Sequence, residues 1–591
     1  MASVETAQGA PEQLLEPERK RSLFARFLSA FFEGKNAIYT LVLIVVGFLV
    51  FYPMILLFIN SFQVGQMGQE TTWGLENWRI ALSAPDLLAA LSNTINLTLV
   101  RQIISLVIGV LLAWLIARTD MPGRNWMEFG FWIVFLMPTL PMTQAWILLM
   151  DPDRGVLNQL FASIPLLGWI KFDIFSWWGI IWVHLMTGTI AVKVMLLTPA
   201  FRNMDSSLEE ASRVHGASNF TTLVRIVAPV MAPAILVVTV LGIIRSLEAF
   251  EVELILGAPT NLEVFSTKIY RLIIQNDPQY GAATALGSVV LLIMLPLILF
   301  QQWVTQKGNH ATVSGKFKSQ PYALGFWRWP AFVIVLILVL TMSVVPLIFL
   351  LIGTFMKLYG FFNIAEVWTL DHWRIVMERP DLIQSLSNTL IICFATAILS
   401  MLLFSIVAYV IVRTQYRPRG ILDFTVWLPS TLPGIVVGLG MLWLFLGFPL
   451  FKPLYGTIFV LIISTVLVSI TTGTQVLKTN LTQLGSELEE ASWVHGASWW
   501  YTYRRIVLPL IAPAMVVVGV FGFAIAARAT SHVVLLATSD TRPISVLQLS
   551  YMSDGSYEAA SVIGVIILFL TVGVALVARL FGVKVGLGRN G

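Results

Sequence analysis

A pair of acidic residues followed by a glycine occurs twice in this chain at the same spacing. The stretch LEEASRVHGAS begins at Leu208 and LEEASWVHGAS at Leu488, so Glu209, Glu210, Ala211 and Gly216 are matched by Glu489, Glu490, Ala491 and Gly496. This pattern suits docking rather than catalysis. An acidic first turn complements the positive end of a helix dipole, Asp205 or Ser206 and Ser486 are placed to cap it, and the glycine permits a left-handed exit into the next helix.

A second group of charges lies in apolar surroundings. Arg245, Glu248 and Glu251 follow one another at spacings of three, and an unbroken helix would put them on one face. Charges in such a setting turn toward a partner or an aqueous path. Glu248 and Glu251 are chemically suited to contact a hard, highly charged cation, which prefers oxygen ligands. An Arg245–Glu248 pair that only orients the helix is the equal alternative. Glu253 is read onto another face, at headgroup level. His184, His215, His495 and His532 have no partner at metal-ligand spacing, and no Ser-His-Asp or Cys-His arrangement is visible, which argues against an intramembrane enzyme. Cys393 is the single cysteine, so the chain contains no internal disulfide, and its apolar surroundings suit a buried thiol.

The elements that must carry these residues are membrane helices. The chain has 591 residues, of which 57% are hydrophobic and 12% charged, about half the charged fraction of a soluble domain. Twelve apolar runs of membrane-spanning length are predicted, the third containing FLMPTLPMTQAW and the fifth and eleventh running over 227–253 and 506–535. The flank of the first run carries Arg19, Lys20, Arg21, Arg26 and Lys35 and no cleavable leader pattern, which predicts a cytoplasmic N-terminus and, with an even span count, a cytoplasmic C-terminus. On that topology more than twice as many Lys and Arg face inward as outward. Arg101, Lys193, Arg245 and Arg528 fall within spans. The basic residues flank helices, so the net charge of +5 gives no reason to expect nucleic acid; lipid is the expected neighbour.

The repeat extends beyond the two loops. NWRIALSAPDLLAALSNT from Asn77 answers HWRIVMERPDLIQSLSNT from His372, and PTLP from Pro138 answers STLP from Ser430. Two homologous six-span halves follow, in the same orientation and related by an axis along the membrane normal. The predicted organisation is a cytoplasmic tail over 1–37, a first half over 38–305, a cytoplasmic linker over 306–328 and a second half over 329–591. Aligning the halves on APVMAPAI and LPLIAPAM sets Glu248 against Arg528, opposite charges at matching depth.

The duplicated loop resembles the EAA loop of the membrane subunits of ATP-binding-cassette importers of the type I fold. Ser212 and Ser492 stand where that pattern has its second Ala, and Ala228 where it has Leu. The resemblance implies an all-α integral membrane permease of twelve transmembrane helices in the bacterial inner membrane. It also implies that each loop seats a coupling helix in a cytoplasmic ATPase, of which there are two copies, and that a periplasmic binding protein delivers the solute. ATP and Mg would belong to the ATPase, and no cofactor to this chain. The absence of a G-x-x-x-x-G-K-[ST] phosphate loop agrees. The stretch RSLEAFEVELILGAPTNLEVFSTKIYRLI from Arg245 is similar to fused iron(III)-importer permeases, which implies iron(III) as solute; relatives of the same architecture carry polyamines, thiamine or phosphonates. A twelve-span secondary transporter driven by an ion gradient is the alternative from another class.

Overall fold

The computed structural model describes residues 34–65, 71–204, 211–212, 214–308 and 321–580. Among them, nine unbroken helices are long and apolar enough to cross a membrane, and three bent pairs bring the number to twelve. In the first half these are Gly34–Asn60, Leu87–Arg118, Arg124–Leu136 with Thr139–Met150, Trp177–Arg202, Leu223–Val230 with Ala232–Leu247, and Tyr280–Gly308. In the second they are Arg328–Phe355, Pro380–Arg413, Arg419–Thr431 with Gly434–Gly447, Ile458–Gln483, Trp499–Ala527 and Tyr557–Leu580. Helices are the expected form here, since hydrocarbon offers no partner to an unbonded backbone group. The one small exception is a ribbon of Gln63–Val64 against Thr72–Trp73, antiparallel, with Gln63 opposite Trp73.

The repeated prolines set the bends. The third span turns by 100° and the ninth by 113°, at PTLP and STLP respectively. A residue before proline is pushed out of the helical region, and Met137 and Leu432 are both extended, with ψ of 137° and 135°. The fifth span also bends, by 72° at Met231, whereas its counterpart Trp499–Ala527 runs on.

Each half lends its first span to the other. The first span packs on the ninth and the seventh on the third. Small residues permit this close approach. Gly440 faces Pro53 and Leu57, and Gly130 faces Val339 so tightly that a Cβ on Gly130 would overlap the valine methyl.

The fifth and eleventh spans end earlier than the periodicity suggests. The helices stop at Leu247 and Ala527, leaving Glu248 and Arg528 as the capping residues. A separate helix Glu251–Gly257 then begins, followed by Phe265–Ile274, and the second half has Ile544–Ser553 at the corresponding place. Glu251 therefore does not share a helix face with Arg245 and Glu248. Past the break the freed backbone finds side-chain partners: the Ser266 hydroxyl donates to the Ala249 carbonyl and the Ser545 hydroxyl to the Ala529 carbonyl.

The repeated LSNT motif holds these outer segments in place. The Asn93 amide donates to the Glu263 carbonyl at 3.0 Å and Asn388 to the Asp540 carbonyl at 2.9 Å. The Thr94 hydroxyl accepts from the Phe265 N–H and the Thr389 hydroxyl from the Ile544 N–H, each at 2.8 Å. Cys393 is buried in the core.

Candidate functional site

A cavity of about 730 Å³ opens between the halves. The bent third and ninth spans, the fourth and tenth, and the ends of the fifth and eleventh all contribute to its wall. Arg245, Glu248, Glu251 and Arg528 line it, so the structure brings together all four candidates for the path. Arg101 and Lys193, intramembrane cations to which the sequence assigned no role, line it as well.

Arg245 lies 3.5 Å from Glu248 within one helical turn, and its side chain is 58% exposed. Glu251 lines the cavity together with Thr530 and Arg528. Arg528 donates to the carbonyl oxygens of Phe135 at 3.1 Å and Met137 at 3.4 Å. Those two carbonyls flank the proline bend of the third span, where the helix cannot use them. No ion pair joins Arg528 to Glu248 among the described residues.

Glu253 belongs to the protein interior, not to the headgroup level. It is 2% exposed, with Arg101 Nη1 at 3.4 Å and His184 Nε2 at 2.8 Å from the same carboxylate oxygen. Arg101 also donates to the Ser246 carbonyl at 2.5 Å. The break after Leu247 is what turns Glu253 inward, and a reading based on one continuous helix could not show it. Beside this cluster the fourth span contains a wide turn, Leu185–Thr189, in which Gly188 takes a φ of 145°. Such turns gather at functional sites, and the left-handed φ requires glycine. His532 is buried and shares a hydrogen bond with Thr465 at 3.2 Å. Among the described residues no group of three or more His, Cys, Asp or Glu is placed to hold a metal ion.

The duplicated loops lie between the fourth and fifth spans and between the tenth and eleventh. Glu209, Glu210, Asp205 and Ser206 lie outside the described residues. In the second loop Glu487–Val494 is helical, with Ser486 at its N-cap. The Ser486 hydroxyl donates to Glu490 at 2.5 Å and makes no cap bond to the backbone. Glu490 is exposed, while Glu489 points inward, 3.1 Å from Arg413 Nε and accepting from the Tyr409 hydroxyl at 3.0 Å. Burial pushes the Glu489 carboxyl up, against the pull of Tyr409 and Arg413.

The predicted left-handed exits are present. Gly216 has φ 76° and Gly496 φ 81°. Just before them, the rings of His215 and His495 bond to the carbonyls of Ala211 and Ala491 at 2.8 and 2.7 Å. The serines that depart from the family pattern form matching braces to the next helix, Ser212 to Thr222 at 2.8 Å and Ser492 to Thr502 at 2.9 Å.

The bundle is duplicated, surrounds a charged cavity and carries the same polar loop twice, which is the organisation of a transport permease with two like halves. Residues 105–309 and 401–586 each match the family described as binding-protein-dependent transport system inner membrane component. The chain belongs to that family. It is the multi-pass membrane component of an ABC importer, working with an ATPase and a solute-binding protein, and is not itself an enzyme. It is similar to a ferric transport system permease protein of Actinobacillus pleuropneumoniae, with 27% identity over 90% of this chain and 76% of that one. An Fe(3+)-transport system permease protein of Haemophilus influenzae is 23% identical over 88% of this chain and 94% of its own. The sulfate transport system permease protein CysW of Escherichia coli is 26% identical over 46% of this chain and 88% of its own.

Proposed function

We propose that this chain forms the path for iron(III) through the inner membrane of a bacterium, driven by ATP hydrolysis on a separate pair of ATPase subunits that carry ATP and Mg. The observation that carries the solute reading is the placement of Glu248 and Glu251 in one cavity, in a chain whose relatives over nearly full length are named for ferric transport. Carboxylate oxygens suit a hard cation in transit, and Arg245 beside Glu248 keeps the contact from becoming a permanent site.

Coupling is assigned to the two loops. Val214 and Val494 are each 85% exposed at matching places, two residues before the left-handed glycines Gly216 and Gly496. One exposed apolar side chain is ordinary; its recurrence at the same place in both loops is what supports a docking role. Both termini and the 306–328 linker would lie on this face, with the binding protein docking on the opposite one.

Reconstitution tests the reading. Vesicles containing this chain, its ATPase and its binding protein should accumulate ferric iron only with ATP, and excess polyamine, thiamine or phosphonate should not compete. Uptake that persists without the ATPase under an ion gradient would mean a secondary transporter. Competition by one of the organic solutes would reassign the cargo.

A further inference from the structure

Three of the cavity's four cations have polar partners. Arg245 pairs with Glu248, Arg101 pairs with Glu253, and Arg528 donates to the Phe135 and Met137 carbonyls. Lys193 lines the same cavity at 2% exposure and has no ion pair or hydrogen bond among the described residues. Its stem is seated closely, because a Cβ on Gly109 of the second span would lie 2.6 Å from the Lys193 Cβ. The ammonium is thus fixed at the wall of the cavity with no protein counter-charge. A buried, unpaired cation is strongly unfavourable unless something negative joins it.

The carboxylates point the same way. With Glu248 beside Arg245 and no three-ligand group among the described residues, a bare trivalent ion would find too few oxygen ligands here. We propose that the cavity receives an oxyanion and that, on the iron(III) reading above, iron crosses while still ligated by one, with Lys193 as the anion contact. The oxyanion supplies oxygen ligands to the metal and negative charge to Lys193, which are the two things the cavity lacks.

Double-label transport tests this. The complete transporter, in vesicles with its loaded binding protein, is supplied with radiolabelled iron and, in separate sets, radiolabelled phosphate, carbonate or citrate. Iron and one of these anions should accumulate together in a fixed ratio. Lys193→Met should lower uptake of both by about tenfold or more, the scale of one lost hydrogen bond to a charged group. Lys193→Arg, which keeps the charge, should restore much of it, and ATPase co-purification should be unchanged in both variants. Iron accumulating with none of the three anions would overturn the inference and leave the iron reading intact. An oxyanion accumulating without iron would overturn the iron reading and leave Lys193 as an anion contact. Wild-type uptake by Lys193→Met would overturn the role of Lys193 whichever solute is carried.

Discussion

The Arg528 guanidinium in the second half donates to the Phe135 carbonyl in the first at 3.1 Å, across the interface between the two repeats. It ties the end of one half's fifth helix to the bend in the other half's third. Arg528→Met should therefore loosen the bend, at about 1–3 kcal/mol for polar groups left unsatisfied, seen as a lower thermal midpoint of the purified transporter. Because Glu248 is paired with Arg245 and not with Arg528, the double variant Glu248→Arg, Arg528→Glu should transport no better than the poorer single one. Clear recovery in the double variant would show that the two side chains meet during the cycle.

Loop geometry gives a second test. Gly216→Val and Gly496→Val force a branched side chain into a left-handed backbone, at roughly 1–2 kcal/mol each. Less ATPase should co-purify, with the permease still inserted in the membrane. Glu489→Ala should act similarly by removing the carboxylate that Arg413 and Tyr409 share. Full co-purification and full transport in all three variants would remove the coupling role from these loops.

At Gly109 the expected effect is steric. Gly109→Ala brings a methyl to 2.6 Å from the Lys193 Cβ, part of the stem and not its flexible end. The helices must separate, at about 1–3 kcal/mol for overpacking. A thermal midpoint equal to that of the parent would mean that the fourth span shifts freely and that Lys193 is not held in place.

Thr94→Val and Thr389→Val each remove the acceptor of a buried N–H at the start of an outer helix, costing about 1 kcal/mol or more. Hydrogen exchange should quicken in Phe265–Ile274 and in Ile544–Ser553 respectively. Acceleration of the other half's segment instead would contradict the pairing described.

Orientation can be checked by labelling. A tag near Lys316, which lies outside the described residues, should react only from the cytoplasm, and one near exposed Asp153 only from the opposite side. Reaction of both from the same side would mean that one bent pair does not cross the membrane.

The twelve spans, the two halves and the glycine exits were legible because each rests on local rules: apolar length, repeated motifs and the backbone freedom of glycine. The bends were foreshadowed by PTLP and STLP, but not their angles. What escaped was set by distant partners. The LSNT repeat was plain to see, yet nothing in it names Glu263 or Asp540 as the carbonyls its asparagines reach. Glu253 differs from its sequence reading because 227–253 reads as continuous helix, whereas the helix stops at Leu247 and the Ala249 carbonyl at the break is taken by Ser266, beyond the run. Arg101 and Lys193 stood out as intramembrane charges, but one sequence cannot tell the paired cation from the unpaired one.

Carrying both repeats on one polypeptide settles a matter of stoichiometry. Glu248 and Arg528 occupy matching positions in the two halves, each capping its helix at the cavity wall. Were the halves separate gene products, two copies of the first would set Glu248 against its own twin and two copies of the second would do the same with Arg528. Either assembly would line its cavity with two charges of one sign at these positions. The fused chain makes each assembly a heterodimer by birth. It also leaves the two sides of the pore free to diverge, as the wide turn at Gly188 and the 72° bend at Met231 show they have done.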